Sequence, residues 1–285
     1  MQRFIILGQP RSGTTHLTTL LDSHPDVICA GELFNPYIMM GMTNDAGDDA
    51  ILARDAAPRR AAEAFFEQAE AEGARAAGFK FMLGHDIAVL KWISRNPDIR
   101  IIYIRRANKL AQVASLIKAN QTREWVDNEV ANTPLRRVMR RVRIVYQGLF
   151  VLGRKERPNL VPTIRDIDEN GRLIVGPRRI SQRWHDLATS DFLASQWLRS
   201  TPNKVLRLEY VASLKPEAHE RICRFLGVST DAEIASPLRK QGANRVIDRF
   251  ANQKQISDYF TRRGLAHWLG EELDEGEDTQ DRDEA

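Results

Sequence analysis

The sequence predicts an α/β fold: a doubly wound parallel sheet with helices on both faces, interrupted by a helical and hairpin insertion. Short apolar runs at residues 4–7, 27–30, 78–83, 99–105 and 204–210 are continuous or nearly so, as in strands buried on both faces. Helical apolar spacing fills several of the intervals between them, and glycine, proline or small polar residues mark the junctions. Strands alternating with helices build a parallel sheet.

The first strand, residues 4–7, is closed by Gly8, and its helix is expected over residues 13–22 until Ser23, His24 and Pro25 stop it. The second run, residues 27–30, leads into Gly31 and Glu32. Residues 58–73, rich in alanine and glutamate and closed by Gly73, read as a helix, as do residues 107–121 and 216–226. Residues 122–185 break the alternation and read as an insertion or acceptor-side lid. Within it Leu135, Val138, Met139, Val142, Val145, Tyr146 and Leu149 keep helical spacing. Arg136, Arg137, Arg140, Arg141 and Arg143 fall mostly off that stripe, as a solvated helix face does. Two β runs then flank Asn170-Gly171, a favoured hairpin turn.

With 285 residues and 42% apolar content, the chain fits one α/β domain over residues 1–270, followed by an acidic, disordered tail from 271 to 285. Nine carboxylates and one arginine stand in that tail, so the remainder carries 41 basic and 29 acidic side chains, a net +12 beneath an overall +4. A basic body suits an anionic ligand. Only Cys29 and Cys223 are present, without metal-ligand spacing, which points to a reducing compartment and no metal. No signal-peptide pattern opens the chain and no run approaches the ~18 apolar residues of a membrane span, so a cytoplasmic, soluble protein is expected.

The chemistry starts at GQPRSGTT, residues 8–15. Gly8, four intervening residues, Gly13 and Thr15 follow the phosphate-loop pattern, but Thr14 stands where that pattern has lysine. Backbone N–H groups at a helix N-terminus still hold an anion there, the hydroxyls of Ser12, Thr14 and Thr15 add donors, and Arg11 restores a positive charge. A nucleoside triphosphatase also needs a magnesium-binding aspartate at the end of a neighbouring strand. The run at 99–105 ends instead in Arg105 followed by Arg106, suited to a second anion. The pair of elements asks for a nucleotide with two separated anionic groups.

These residues resemble a known family. PRSGTT after a strand, and Arg106 nine residues before Ser115, are similar to the two nucleotide motifs of sulfotransferases that use 3′-phosphoadenosine 5′-phosphosulfate (PAPS). The finer likeness is to the bacterial trehalose 2-sulfotransferase and Nod-factor sulfotransferase branch. It rests on GELF at 31–34, GFKFM at 78–82 and RANKLAQVASLIKANQTREW at 106–125. Beyond residue 125 it thins to LRLEYVASL at 206–214, RFLGV at 224–228 and LRKQ at 238–241. The resemblance implies a P-loop-like fold, PAPS as co-substrate without metal, a carbohydrate, glycolipid or polysaccharide hydroxyl as acceptor, and a homodimer.

Carried across residue by residue, Arg11, Ser12, Gly13, Thr14 and Thr15 match the 5′-phosphosulfate loop and Arg106 with Ser115 the 3′-phosphate clamp. Lys80 takes the GFK position beside the donor. Glu32 matches the family's general base, with burial expected to raise its pKa toward the working range. His85 is the competing base: other branches place a catalytic histidine after this strand, whereas the trehalose type carries glutamine. Arg239 and Lys240 match a basic loop over the 3′-phosphate. The rival classes are a nucleic-acid or polyanion binder, supported by a pI near 9.2 but lacking any reading motif, and a P-loop kinase or NTPase, opposed by Thr14 and the missing aspartate.

Overall fold

The computed structural model describes residues 1–122, 166–238 and 242–273. The arginine-rich stripe at 135–149 and the basic pair Arg239 and Lys240 lie outside the described residues.

Five parallel strands form the central sheet: β1 (Gln2–Gly8), β2 (Val27–Glu32), β3 (Ala76–Phe81), β4 (Arg100–Arg105) and β5 (Val205–Glu209), in the spatial order β2-β3-β1-β4-β5. The sequence-read fold class is the one observed. Side chains alternate between two faces of the sheet. Ile5, Leu7, Phe79, Phe81, Ile101 and Tyr103 point to one face, while Phe4, Ile6, Ile102 and Ile104 point to the other.

Helices cover both faces. The first carries α3 (Pro58–Ala71) and α4 (Ile87–Ser94), packed through an aromatic cluster in which Phe79 meets Phe34, Phe65 and Phe66 at centroid distances of 5.7, 5.8 and 5.7 Å. Proline at its first position and a left-handed Gly73 just beyond its end bound α3. Asp86 caps α4, accepting the Val89 N–H at 2.8 Å. The second face carries α1 (Thr14–Asp22) and α7 (Pro216–Leu226), whose apolar stripe of Ala218, Ile222, Cys223 and Leu226 is buried.

Several elements were not read from sequence. The short α2 (Asp48–Ala56) is exposed on most of its surface, so no apolar period marks it. The 24-residue α6 (Pro177–Ser200) takes in residues 177–185, assigned above to the insertion, and packs with α5 (Lys109–Thr122) and α8 (Gln253–Arg262) in a helical layer beside the sheet. Its buried positions, Ile180, Leu187, Asp191, Ala194 and Leu198, include an acid, which obscures the stripe. Among the described residues the expected hairpin at Asn170-Gly171 is one antiparallel bridge, Ile167 to Leu173, and Leu173 also bridges Phe250 in parallel. Residues 271–273, assigned above to the acidic tail, belong to the folded body. Glu272 is buried, and residues 270–273 are bonded to the segment around Asn244 and Val246.

Phe79 sits at the centre of the aromatic cluster and is fully buried. Its truncation in Phe79→Ala should cost about 3–5 kcal/mol of stability, read as a lowered urea midpoint with an unchanged m-value.

Candidate functional site

The carboxyl ends of all five strands open on one cleft of about 820 Å³. This is where open parallel sheets hold ligands. After β1 the chain turns sharply: Arg11 has φ 63° and Gly13 φ 97°, both left-handed. A Cβ on Gly13 would stand 2.5 Å from the Tyr210 ring, so glycine is required by space as well as conformation. No side chain caps α1, whose N-terminal turn faces the cleft through Gly13, Thr14 and Thr15. Uncapped N–H groups at a helix start are an anion site in waiting. Ser12 is the exception in the predicted loop: fully buried, it donates its hydroxyl to the Gln9 carbonyl at 2.8 Å and braces the turn.

β2 delivers Glu32 through a bulge. Ala30 pairs with Phe79 and Glu32 with the next residue, Lys80, leaving Gly31 as the extra residue. The bulge turns Glu32 toward Lys80, whose Nζ lies 2.7 Å from Oε1 and 3.1 Å from Thr15 Oγ1. Asn35 Nδ2 donates to Oε2 at 2.7 Å, and His85 Nε2 stands 3.6 Å from the same oxygen. His85 Nδ1 accepts the Met82 N–H at 3.2 Å, so the hydrogen of the neutral ring is on Nε2, toward Glu32.

Burial alone would push the Glu32 carboxyl up, as the sequence led us to expect. The facing groups reverse this: His85, the Lys80 charge and hydrogen bond, and Asn35 hold its pKa down at about 2. Burial lowers the Lys80 ammonium, against the raising effect of Glu32. In this state Glu32 is a fully ionised partner of Lys80.

At the other end of the cleft β4 and α5 supply Arg106 and Ser115. Arg11 Nε donates to Ser115 Oγ at 2.9 Å, and Arg106 NH1 donates to the Arg11 carbonyl at 2.9 Å. The Arg106 guanidinium lies 4.6 Å from the Tyr210 ring centroid and is paired with Glu272. Burial and the neighbouring Arg106 both lower the Arg11 pKa, a measure of how closely positive charge is gathered. Among the described lining residues Arg11, Lys80 and Arg106 outnumber the one carboxylate, Glu32, and Glu272 behind Arg106 is itself shared with Arg249. That surplus of positive charge suits an anion.

Among the described residues, every predicted site residue except the buried Ser12 lines this cleft. Sequence reading missed Asn35, Tyr210 and Glu272. Tyr210 follows the fifth strand as the basic residues follow the fourth, a positional signal. Glu272 carried none.

The profile of the sulfotransferase family matches residues 3–154, more than half of the chain. This chain belongs to the sulfotransferase family. Similar curated proteins are two forms of Nodulation protein H. That of Rhizobium meliloti (strain 1021) is 28% identical over 128 residues, 44% of this chain and 50% of that protein. A second, from Rhizobium meliloti, is 27% identical over 126 residues, 43% and 49% of the two chains. The chain thus spans about half the length of the curated relatives it matches. Among solved structures, a sulfotransferase from Alicyclobacillus acidocaldarius aligns over 94% of this chain and 98% of its own, at 16% identity and a TM-score of 0.43.

The Glu32 pairing makes a pH prediction for this chain. A folded pKa of about 2, below the ordinary 4.5, means that the stabilising contribution is complete above about pH 4.5 and is lost as pH falls toward 2. Glu32→Gln, which leaves Lys80 buried without its counter-charge, should lower stability at neutral pH by about 3 kcal/mol. The gap between variant and wild-type urea midpoints should close between pH 4.5 and 2.

Proposed function

We propose that this chain transfers a sulfuryl group from PAPS to a hydroxyl of a carbohydrate, glycolipid or polysaccharide. The observation that carries the reading is the convergence on one cleft of an uncapped helix N-terminus, three cationic side chains and a carboxylate with its own hydrogen-bonding neighbours. The residues present fit such a donor. The first turn of α1 with Thr14 and Thr15 would hold the 5′-phosphosulfate, and Arg106 with Ser115 the 3′-phosphate. Arginines at the end of β4 suit a second phosphate rather than a metal.

In the reaction a bond forms between the acceptor oxygen and sulfur while the bond from sulfur to the 5′-phosphate oxygen breaks. The acceptor proton passes to Glu32. Charge grows on the departing phosphate, where fixed N–H groups, Arg11 and Lys80 would stabilise it without reorganising. A carboxylate at about 2 is a poor base, but of the groups that hold it down, His85 first and then Lys80, the lysine lies 3.1 Å from Thr15 in the loop. Lys80 drawn toward a bound anion would leave Glu32, and its pKa would rise. His85 fits the role of base less well, since Nδ1 accepts the Met82 N–H and Nε2 faces Glu32. Its place is that of a neighbour orienting Glu32. Asn35, Pro36, Tyr37, Ile38, Met40 and Met82 line the cleft near Glu32, and an acceptor ring would lie against them.

Two experiments test this. Adenosine 3′,5′-bisphosphate should bind in EDTA and raise the melting temperature. Arg106→Ala should weaken it at least about tenfold more than it weakens adenosine 5′-phosphosulfate, which lacks the 3′-phosphate; equal losses would remove Arg106 from the clamp. In turnover, Glu32→Gln should be slower by roughly 10² to 10⁴ without losing affinity for the bisphosphate, while His85→Gln should remain within about tenfold of wild type. An inactive His85 variant beside an active Glu32 variant would reverse the assignment.

A further inference from the structure

By composition Glu272 belongs to a solvated acidic tail, yet its side chain is 1% exposed and lies between two guanidinium groups. Arg106 donates to Oε1 through Nε at 2.5 Å and through its second terminal nitrogen. Arg249 donates to Oε2 at 2.6 Å. Arg249 is itself buried, with Nε bonded to the Ala243 carbonyl at 2.9 Å and NH1 to the Ala111 carbonyl of α5 at 3.3 Å. The backbone beneath Glu272 is fixed as well. Its N–H donates to the Asn244 carbonyl at 3.1 Å, and the Leu273 N–H to Asn244 Oδ1 at 3.0 Å.

Two arrangements are compatible with a carboxylate on a candidate phosphate-binding arginine. It competes with the phosphate for that arginine, or it holds the arginine from behind. Three observations favour the second. Arg106 lines the cleft while Glu272 and Arg249 do not. The second carboxylate oxygen is held by Arg249, so displacement of Glu272 would leave two buried arginines without their counter-charge, a costly state. Finally, Arg249 balances the charge of Glu272, so the three groups together keep one positive charge for an incoming anion. A free arginine side chain gives up rotamer entropy when it binds, whereas a fork fixed in advance loses little.

We propose that Glu272 and Arg249 form a buttress that orients the Arg106 guanidinium toward the 3′-phosphate of the donor, as positioning residues that do not touch the nucleotide. The C-terminal strap, residues 270–273, thereby becomes part of the donor site. This rests on the reading of Arg106 as the 3′-phosphate contact.

The test is a set of calorimetric affinities for adenosine 3′,5′-bisphosphate and adenosine 5′-monophosphate on wild type, Glu272→Gln and Arg249→Gln. Wild type should prefer the bisphosphate. Each variant should lose about tenfold on the bisphosphate and stay within about twofold on the monophosphate. The retained monophosphate affinity shows that the loop and fold are intact. A bisphosphate affinity that is unchanged or raised in Glu272→Gln would overturn the buttress, a rise being the mark of a competitor. Equal losses on both nucleotides would overturn it in favour of a purely structural role. A wild type without preference for the bisphosphate would instead refute the donor reading itself. If Glu272→Gln does not fold, Arg249→Gln carries the same comparison.

Discussion

The site depends on how the chain leaves its central strand. A Cβ on Gly8 would stand 2.6 Å from Thr14 Cγ2, 2.7 Å from Ser12 Oγ and 2.8 Å from the Ile104 carbonyl oxygen. That clearance lets the turn fold back over the end of β1 so that α1 starts beneath the sheet edge with its N–H groups toward the cleft. Arg11 adopts a left-handed conformation within the turn, a state that costs a non-glycine residue of order 1 kcal/mol or more and persists because its surroundings determine it. The Ser12 hydroxyl and Gln112, whose Nε2 donates to the Pro10 carbonyl at 2.8 Å, supply that restraint. Gln112 is in turn bonded to Lys109, which also donates to the Arg106 carbonyl and pairs with Asp191 of α6. The loop is thus tied through α5 to the long helix beside the sheet.

Around this turn charge is buried in paired form. Lys80 meets Glu32, Lys109 meets Asp191, and Arg106 meets Glu272, which Arg249 shares. An isolated buried ion would be expelled or neutralised, and partners plus hydrogen bonds are what make these tolerable. The pairs differ in reach. Lys80 and Glu32 both line the cleft, so their pairing can be exchanged for contacts to an incoming anion and hydroxyl. Lys109, Asp191, Arg249 and Glu272 stand outside the cleft lining, where the same interaction serves to hold shape.

The sheet explains why the site forms here. With β1 between β3 and β4, the three strands whose ends carry the loop, Lys80 and Arg106 are adjacent, and β2 brings Glu32 alongside β3. Residues far apart in sequence become neighbours because parallel strands all end on the same side. The bulge at Gly31 adds the last adjustment, since without it the period of two would direct Glu32 away from Lys80.

The sequence alone determined the five strands, the turn between Gly8 and Thr15, and the basic end of the fourth strand at Arg105 and Arg106. Each is a local pattern: continuous apolar runs, glycines at fixed offsets, a basic end to a strand. The resemblance to sulfotransferases pointed to Glu32, Lys80, His85 and Ser115, and the first three meet because each stands near the carboxyl end of a strand in one parallel sheet. The short α2 and the long α6 were not legible, the first because little of it is buried and the second because Asp191 sits on its inward face. Only the tertiary structure decided that Glu32 is held near pKa 2 rather than raised, and that Glu272 leaves the acidic tail to join two arginines. Both outcomes depend on which charges meet across long sequence separations. A carboxylate's own neighbours in the chain carry no record of the arginine or lysine that folding brings to it.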